Sequence, residues 1–329
     1  MTRSQINLRN QGMTRAFVFP GQGSQAVGMG KELADAFSAA RQVFEEVDET
    51  LKQNLTKVIF EGPDDDLRLT ENAQPALMAV SVAIVRVMQK EGNVALPDVA
   101  SHVAGHSLGE YAALAAAGAL SLADTARLLK LRGTLMQKAV PVGQGAMAAL
   151  MGPTVEETEA IAADAVAAGE AGDVCDLAND NAPGQVVVSG STAAVERAVE
   201  IASERGAKRS IMLPVSAPFH CSLMQPAANA MAEALAETTI LPPAVPLVAN
   251  VTADEARDPE EFRKNLVTQV TGRVRWREGV LTLKNKGVDT LVETGAGKVL
   301  SGLARRIDRE LSTTSIQGPG DIEAFLGSL

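Results

Sequence analysis

Cysteine is nearly missing from this sequence, because Cys175 and Cys221 are the only two in 329 residues. Two cysteines cannot form a disulfide framework, and neither lies among histidines or other cysteines at the spacing of metal ligands. We therefore expect no disulfide scaffold and no metal site. Such sparse cysteine use is typical of a protein of the reducing cytoplasm, which is the expected location.

Positive charge is also scarce. Lysine and arginine number 30 against 40 aspartates and glutamates, so the formal net charge is −10. This balance argues against a general nucleic-acid partner, because binding to phosphates needs a concentrated basic surface. Long apolar runs are missing too, since no stretch reaches the roughly 18 uncharged residues that cross a bilayer. We expect a monomer with neither nucleic acid nor membrane among its partners.

Aromatic residues make up only 3% of the chain, whereas hydrophobic residues make up 46%. This alanine-rich composition favours helices packed closely on a sheet over an all-β sandwich. Apolar runs such as "AFVF" alternate with helical stretches, which predicts parallel strands joined by crossover helices and hence the α/β class. The stretch "KELADAFSAARQVFEEVDETL" is predicted as one helix, and another begins at "TENAQPAL" with Thr70 as its candidate N-cap.

The pattern changes after residue 142. Residues 143–213 carry predicted elements in the order βαββαβ, which is typical of a ferredoxin-like unit. We expect this small domain to be inserted into a larger one made of residues 13–142 and 214–329. Because "MTRAFVF" resembles a second start at Met13, residues 1–12 are expected to be a disordered extension.

The pentapeptide Gly105-His106-Ser107-Leu108-Gly109 follows an apolar run and precedes a helix-forming stretch. It fits the G-x-S-x-G elbow, in which glycines flank a sharp strand-to-helix turn that presents a serine hydroxyl. The Leu108 amide and the helix N-terminus could then stabilise an oxyanion. The alternative is a small residue at a tight turn with no chemical role. The strand and helix on either side favour Ser107 as a nucleophile.

A serine nucleophile needs a base, and the chain contains three histidines, His102, His106 and His220. His102 lies within the predicted strand and His106 adjoins the serine, so both are expected to point into packing. His220 follows the loop "SAPF" far downstream, where hydrolase-type enzymes place the base, and we expect it to serve here. Cys221 beside it is a rival nucleophile, but it has neither an elbow nor a second base.

One cation lies on the apolar face of the predicted helix "LADTARLLKLRGTLMQKA". The apolar stripe of that helix comprises Leu128, Leu129, Leu135 and Met136. Arg132 is one turn from each of these residues, so it is expected to point inward. A buried guanidinium is unfavourable unless a carboxylate or phosphate meets it. Its partner is either a protein acid such as Glu110 or an anionic substrate.

The glycine loop "FPGQGSQAVGMG" suggests two functions. Gly21, Gly23 and Ala26 follow a strand and approximate the G-x-G-x-x-G/A fingerprint of dinucleotide-binding folds. Pro20 interrupts that fingerprint, and the acidic residue expected at the tip of a second strand is missing. A glycine loop beside an elbow serine can instead donate a backbone amide to an oxyanion hole. We prefer the second interpretation and expect no cofactor.

Several motifs, in order along nearly the whole chain, resemble one family. They are "FPGQGSQ", "TENAQPAL", "GHSLGEYAAL", "LRGTLMQ", "PFHCSLM", "QVTGRVRW" and "GAGKVLSGL". Together they resemble the malonyl-CoA:acyl carrier protein transacylases, acyltransferases of fatty acid and polyketide synthesis. The resemblance implies an α/β-hydrolase-like large subdomain carrying a ferredoxin-like small one, with the active site between them. The order of predicted elements agrees with this division.

The resemblance also implies catalytic residues. Ser107 matches the family's acylated serine, and His220 matches its general base. Gln269 in "VTQV" matches the residue whose main-chain carbonyl orients the histidine in place of an aspartate. The amides of Gln22 and Leu108 match those of the oxyanion hole.

Other positions match substrate contacts. Arg132 resembles the arginine that holds the free carboxylate of malonate, which would supply its missing anion. Phe219 resembles an aromatic residue that crowds the α-carbon and selects malonyl over methylmalonyl groups. Asn179 and Asn181 resemble residues that border the active-site gorge.

The implied function is transfer of a malonyl group from malonyl-CoA to the phosphopantetheine thiol of acyl carrier protein, through a malonyl-serine intermediate and with ping-pong kinetics. It would supply extender units for fatty acid synthesis. Acyl carrier proteins are acidic, so we expect a basic docking rim on this acidic chain. The candidates are Arg205, Lys208, Arg209, Arg273, Arg275, Arg277, Lys284 and Lys286.

Three alternatives stay open at this point. The carrier could belong to polyketide synthesis. A serine esterase or thioesterase would use the same elbow and histidine with an acidic third member, and Asp173, Asp176 and Asp180 precede His220 in the order Ser, Asp, His. A binding module could keep the fold without the chemistry, although the presence of the serine, histidine and arginine together argues against that loss.

Overall fold

The computed structural model of the chain describes residues 14–329. The extension expected at residues 1–12 lies outside the described residues. The described chain is a mixed α/β fold with a mostly parallel sheet of six strands and an antiparallel sheet of four. The α/β class predicted from composition and element order is therefore confirmed.

Residues 14–329 form ten strands, which in chain order are β1 (Arg15–Phe19), β2 (His102–Gly105), β3 (Gly145–Met151), β4 (Cys175–Ala182), β5 (Gln185–Ser191), β6 (Arg209–Met212), β7 (Leu247–Val248), β8 (Glu255–Ala256), β9 (Thr290–Thr294) and β10 (Ser312–Ile316). The α-helices of the same residues are α1 (Lys31–Ala36), α2 (Ser38–Leu51), α3 (Leu55–Glu61), α4 (Asp64–Arg68), α5 (Thr70–Lys90), α6 (Leu96–Val99), α7 (Leu108–Ala116), α8 (Leu122–Ala139), α9 (Val155–Ala167), α10 (Thr192–Glu204), α11 (Gln225–Glu237), α12 (Pro259–Thr271), α13 (Trp276–Asn285), α14 (Val299–Ile307) and α15 (Pro319–Ser328). A 3₁₀ turn at Ser222–Met224 precedes α11.

Strand β1 lies at the centre of the six-stranded sheet, whose order is β10-β9-β1-β2-β7-β8. Neighbouring strands are parallel except for β7 with β8. Every residue of β1 is buried, as expected for a central strand with helices on both faces. Phe17 and Phe19 join the core on one face, whereas Ala16 and Val18 join a second core on the other. Because β1 and β2 are parallel, the loops that follow them emerge at the same edge of the sheet.

The four-stranded sheet has the order β4-β5-β3-β6 and is antiparallel throughout. Ala148, Leu150 and Val188 pack with residues of α9 and α10 in a separate core on one face. Side chains alternate along a strand, so Met147 and Val187 point to the opposite face and belong to the main core. This opposite face is directed toward the larger sheet and its helices.

Backbone contacts fix the four-stranded sheet against the segment that precedes α13. The Asp180 amide donates to the Val274 carbonyl at 2.9 Å, and the Val274 amide donates to the Ala178 carbonyl at 2.8 Å. The Asp180 carboxylate is 1% exposed and pairs with Arg277 at 2.9 Å. The two sheets are thereby held with a cavity between them.

Two local predictions are wrong. The stretch predicted as one helix is divided into α1 and α2 at Phe37, whose backbone is extended with φ −127° and ψ 126°. Thr70 is the first residue of α5 instead of its N-cap, because Leu69 occupies the cap position. The Thr70 hydroxyl has another partner in the site described below.

Candidate active site

Ser107 lies at a sharp turn between β2 and α7. Its backbone has a positive φ of 53° and a ψ of −110°, an unfavourable conformation for a residue with a side chain. The flanking glycines make the turn possible, because a methyl group on Gly105 would overlap the Gly109 carbonyl and one on Gly109 would overlap the Phe19 carbonyl. The strand, turn and helix therefore present the serine hydroxyl as a nucleophile elbow does.

Asn250 holds this turn in place. It follows β7, the strand next to β2, and its Oδ1 accepts a hydrogen bond from the Ser107 amide at 2.8 Å. Its Nδ2 donates to the Gly105 carbonyl at 2.6 Å. Sequence reasoning missed Asn250, although a polar residue two positions after a strand that neighbours the nucleophile strand is a recognisable signal.

His220 contacts the serine directly. Its Nε2 lies 2.7 Å from Ser107 Oγ, and its Nδ1 lies 2.8 Å from the Gln269 carbonyl and 3.2 Å from the Gly272 carbonyl. Carbonyl oxygens only accept, so the proton of the neutral ring lies on Nδ1 and the lone pair of Nε2 faces the serine hydroxyl. The ring is 4% exposed. Burial, followed by the nearby Arg132 charge, lowers the pKa of His220 to about 3.

The other two histidines have different partners. His102 Nε2 lies 3.3 Å from Glu255 Oε2. His106 Nε2 lies 2.8 Å from Asn181 Oδ1, so that asparagine holds the neighbour of the serine instead of the serine itself. Neither ring has a hydrogen bond to Ser107.

Arg132 points inward from α8 and is 1% exposed. Its Nη1 donates to Gln74 Oε1 at 2.7 Å. Its Nη2 donates to Gln269 Oε1 at 2.9 Å and to Ser107 Oγ at 3.1 Å. The Tyr111 ring lies beneath the guanidinium at 5.7 Å from its centroid. The acceptors of this cation are thus two amides and a hydroxyl, and none of the three carries a charge.

Glu110 does not meet the guanidinium, so that alternative is wrong. Its Oε2 accepts from Gln269 Nε2 at 2.8 Å and from the Asn250 amide at 3.1 Å. Gln269 therefore stands between the acid and the arginine, with its amide nitrogen toward Glu110 and its amide oxygen toward Arg132. Glu110 is 1% exposed, and burial raises its pKa to about 7. Sequence reasoning assigned only the main chain of Gln269 and missed this side-chain bridge.

Two residues that line the cavity together with Ser107 have backbone amides without an acceptor in the described part of the chain. Neither the Leu108 amide, at the start of α7, nor the Gln22 amide has an acceptor within residues 14–329. The Gln22 side chain is fixed, because its Oε1 accepts from the Thr70 hydroxyl at 2.8 Å. That hydroxyl in turn accepts from Gln74 Nε2 at 2.9 Å. A hydrogen-bonded chain thus connects the glycine loop to the partner of Arg132.

The glycine loop does not form a dinucleotide site. After Gly23 it continues through turns, and the first helix begins only at Lys31. A pyrophosphate-binding loop requires a helix N-terminus directly at the glycines. The loop instead borders the same cavity as the serine.

The cavity between the two sheets has a volume of about 420 Å³. Ser107, His220 and Arg132 line it together with residues from both sides. Its other lining residues are Gln22, Gly23, Gln25, Arg68, Gln74, His106, Leu108, Met136, Met147, Asn179, Asn181, Val187, Leu213, Pro214, Val215 and Phe219. All positions expected in the substrate pocket are therefore at one cavity, with the antiparallel sheet forming one wall.

Neither the other candidate nucleophile nor the candidate triad acids take part in this arrangement. Cys221 is fully buried, donates to the Pro218 carbonyl at 3.1 Å, and has its pKa raised by burial to about 11. The acids considered for a triad are engaged elsewhere: Asp173 with Arg197, Asp176 with Ser222 and Asp180 with Arg277. The position of a triad acid at Nδ1 of the histidine is occupied by main-chain carbonyls.

No group of three or more His, Cys, Asp or Glu side chains within residues 14–329 could hold a metal ion. No helix in that range is both long and apolar enough to cross a bilayer.

The expected basic rim is largely paired with acidic side chains. Ion pairs involve Arg205, Arg273, Arg275, Arg277, Lys284 and Lys286. Within the described part of the chain Lys208 and Arg209 have no ion pair. The docking rim stays a prediction.

The chain is similar to known proteins in both sequence and structure. Residues 16–311 match the family model described as acyl transferase domain. A malonyl CoA-acyl carrier protein transacylase of Bacillus subtilis is 46% identical over 314 residues, covering 95% of this chain and 96% of that protein. The crystal structure of an acyl-carrier-protein S-malonyltransferase from Bartonella henselae is 55% identical with a TM-score of 0.92, covering 96% of this chain and all of that one. A malonyl-transacylase solved in complex with a type II polyketide acyl-carrier protein is 40% identical with a TM-score of 0.91, covering 96% of this chain and 100% of that one.

Proposed function

The chain belongs to the acyl transferase domain family, and we propose that it transfers a malonyl group from malonyl-CoA to the phosphopantetheine thiol of acyl carrier protein. One observation carries the proposal. Ser107 Oγ lies 2.7 Å from the imidazole of His220 and 3.1 Å from the guanidinium of Arg132. A nucleophile, its base and a cation for a carboxylate therefore meet at a single atom.

Acylation begins with His220 as general base. Its Nε2 takes the Ser107 proton as Oγ attacks the thioester carbonyl carbon. The oxyanion that forms lies at the free amides of Leu108 and Gln22, and the dipole of α7 adds to its stabilisation. The carbon–sulfur bond then breaks, His220 returns the proton to sulfur, and CoA leaves as the thiol. A malonyl ester on Ser107 remains.

Arg132 selects the acyl group. In a malonyl thioester one methylene group separates the carboxylate from the reacting carbonyl. A cation in contact with the nucleophile suits that short separation, whereas a longer diacid would have to fold back on itself. A carboxylate would also give the guanidinium the charged partner that its amide and hydroxyl acceptors do not supply.

Transfer to the carrier reverses the first half. The phosphopantetheine thiol gives its proton to His220 and attacks the ester carbonyl, and Ser107 takes the proton back as it leaves. The two half-reactions share one site, so the kinetics are ping-pong. A carrier of polyketide synthesis is the second candidate acceptor, favoured by the likeness to the transacylase solved with such a carrier.

We further propose that the two sheets mark two subdomains. Residues 143–213 would be a ferredoxin-like insertion, which the βαββαβ order and the strand order β4-β5-β3-β6 support. Residues 13–142 and 214–329 would be an α/β-hydrolase-like part, which the elbow after a parallel strand supports. Asn179 and Phe219 would face the acyl chain across the resulting gorge, with Phe219 crowding the α-carbon.

Trapping the acyl-enzyme tests the function. Wild-type protein incubated with malonyl-CoA should gain the mass of one malonyl group on the peptide that contains Ser107. The adduct should persist in buffer and disappear when holo acyl carrier protein is added. Ser107→Ala should gain no mass. Rapid release of malonate to water without carrier would instead assign a thioesterase and overturn the proposal.

A further inference from the structure

Arg132 contacts the nucleophile that it is expected to help. Its Nη2 donates one hydrogen bond to Gln269 Oε1 and another to Ser107 Oγ, so both Nη2 hydrogens are used. Its Nη1 uses one hydrogen for Gln74 Oε1. The Nε–H has no acceptor among the described residues. The unused donors are therefore the Nε–H and one Nη1–H.

These unused donors do not form a fork for a carboxylate. A guanidinium binds a carboxylate with two parallel N–H groups, either from Nε and Nη2 or from Nη1 and Nη2. Both forks include Nη2. A carboxylate that binds in the bidentate manner must therefore take an Nη2 hydrogen from Ser107 or from Gln269.

Gln269 is the partner less able to give way. Its side-chain amide is fixed from the other end, where Nε2 donates to Glu110 Oε2 at 2.8 Å and to the Ser107 carbonyl at 3.1 Å. The bond from Arg132 to Gln269 is 2.9 Å, whereas the bond to Ser107 Oγ is 3.1 Å. The serine hydroxyl is also retained by His220, so releasing the arginine leaves it with a partner. The bond to the serine is thus the one that a carboxylate replaces.

Two effects restrain the serine while this bond is present. A hydrogen bond from a cation draws electron density from Oγ, the atom that must attack. The same positive charge opposes formation of a second cation on His220, and it is among the causes that lower the pKa of that ring. A bound carboxylate removes both effects at once.

We propose that Arg132 restrains Ser107 in the free enzyme and that the carboxylate of the substrate releases it by taking over the Nη2 hydrogen and balancing the charge. This inference rests on the proposed function and adds to it. A substrate with a carboxylate is therefore selected in two ways. It binds to Arg132, and it releases the serine that attacks it. An acyl thioester without a carboxylate meets a serine that is still restrained.

Supplying the substrate in two pieces tests the idea. The acyl donor is 4-nitrophenyl acetate, which has no carboxylate, and the carboxylate is formate, which is small enough to share the cavity. Ser107 Oγ bonds to the acetyl carbon, 4-nitrophenolate leaves with the bonding electron pair, and His220 Nε2 takes the serine proton. The burst of nitrophenolate in a stopped-flow experiment gives the acylation rate.

We expect formate to raise the burst rate of the wild-type protein about 3- to 10-fold with saturation, the range that one released hydrogen bond corresponds to. Potassium chloride at the same ionic strength should give no increase. Arg132→Met lacks the restraining bond, so it should acylate faster than wild type without formate and should not respond to formate. Arg127→Met removes an exposed cation of the same helix, paired with Asp124, and should respond as wild type does.

A wild-type rate that formate leaves unchanged or only lowers would overturn the inference, and so would an equal response in Arg132→Met. The wild-type result stands by itself if the arginine variant fails to fold. Formation of the malonyl-enzyme from malonyl-CoA, measured in parallel, separates the two claims. If that adduct forms and formate has no effect, the inference fails alone; if no adduct forms, the proposed function fails.

Discussion

The catalytic base should stay active in acid until the pH is well below the usual pKa of histidine. Burial and the Arg132 charge lower the pKa of His220 to about 3 from 6.5, although its two carbonyl partners favour the protonated ring. This fall in pKa means that the free enzyme disfavours the protonated form of His220 by roughly 5 kcal/mol more than water does. The acid limb of kcat/KM, which reports the free enzyme, should therefore lie far below pH 6.5.

The size of the effect makes it measurable at pH 5. A histidine with an ordinary pKa would be roughly 97% protonated there, and acylation would fall about 30-fold from its value at pH 8. With the lowered pKa, about 1% is protonated and the rate should change by less than about twofold. The assay is a single-turnover measurement of CoA release from malonyl-CoA between pH 8 and pH 5.

Nuclear magnetic resonance gives an independent measurement, because the chain has only three histidines. His220→Gln identifies the ring signals that belong to the base. We expect these signals to show a neutral ring with its proton on Nδ1 throughout the range from pH 8 to 5. An acid limb in kcat/KM and a ring titration that share a midpoint near pH 6.5 would refute the reasoning.

Three further predictions concern the network around the serine. Arg132→Ala should lower kcat/KM for malonyl transfer at least about 100-fold, because a charge-assisted pair of hydrogen bonds is lost, while acetyl transfer survives or improves; equal losses would contradict the carboxylate role. Asn250→Ala leaves the Ser107 amide and the Gly105 carbonyl unpaired. The free energy of unfolding in urea should therefore fall by about 2–4 kcal/mol, and the malonyl-enzyme should form more slowly. Unchanged values would show that the turn is stable without Asn250. Glu110 has a folded-state pKa of about 7, above the ordinary 4.5, so its protonation stabilises the fold fully below pH 4.5 and this contribution is lost as the pH rises through 7. Glu110→Gln does not titrate and should therefore gain stability relative to wild type between pH 5 and 8, by up to roughly 3 kcal/mol in urea unfolding, and a constant difference would argue against a buried titrating acid.

The sequence predicts those parts of the site that local pattern controls. The elbow is visible because two glycines, a strand and a helix lie within a few residues of Ser107. Arg132 is visible because helical periodicity places it on the apolar face of α8. The choice of His220 follows from the small number of histidines and their positions. Short-range sequence information was therefore enough to identify Ser107, Arg132 and His220, which the structure brings together.

The supporting contacts could not be predicted in this way. Asn250 and Ser107 are 143 positions apart, and Gln269 and Glu110 are 159 positions apart, so each pair meets only through the register of the sheet and the packing of α12. Threonine is a common residue at helix N-caps, and Thr70 was predicted as one. Its hydroxyl instead bonds to the glycine loop, because α5 begins beside that loop. A polar residue that follows a strand or opens a helix is ambiguous until its neighbour across the fold is known.

A structure of the malonyl-enzyme would test the central claim most directly. In a crystal flash-cooled after exposure to malonyl-CoA, the ester should be on Ser107, with its carbonyl oxygen at the amides of Gln22 and Leu108. The free carboxylate should lie within hydrogen-bond distance of the Arg132 guanidinium, and the Nη2 to Oγ contact should be broken. A malonyl group whose carboxylate points to solvent, or an ester on another residue, would contradict the account.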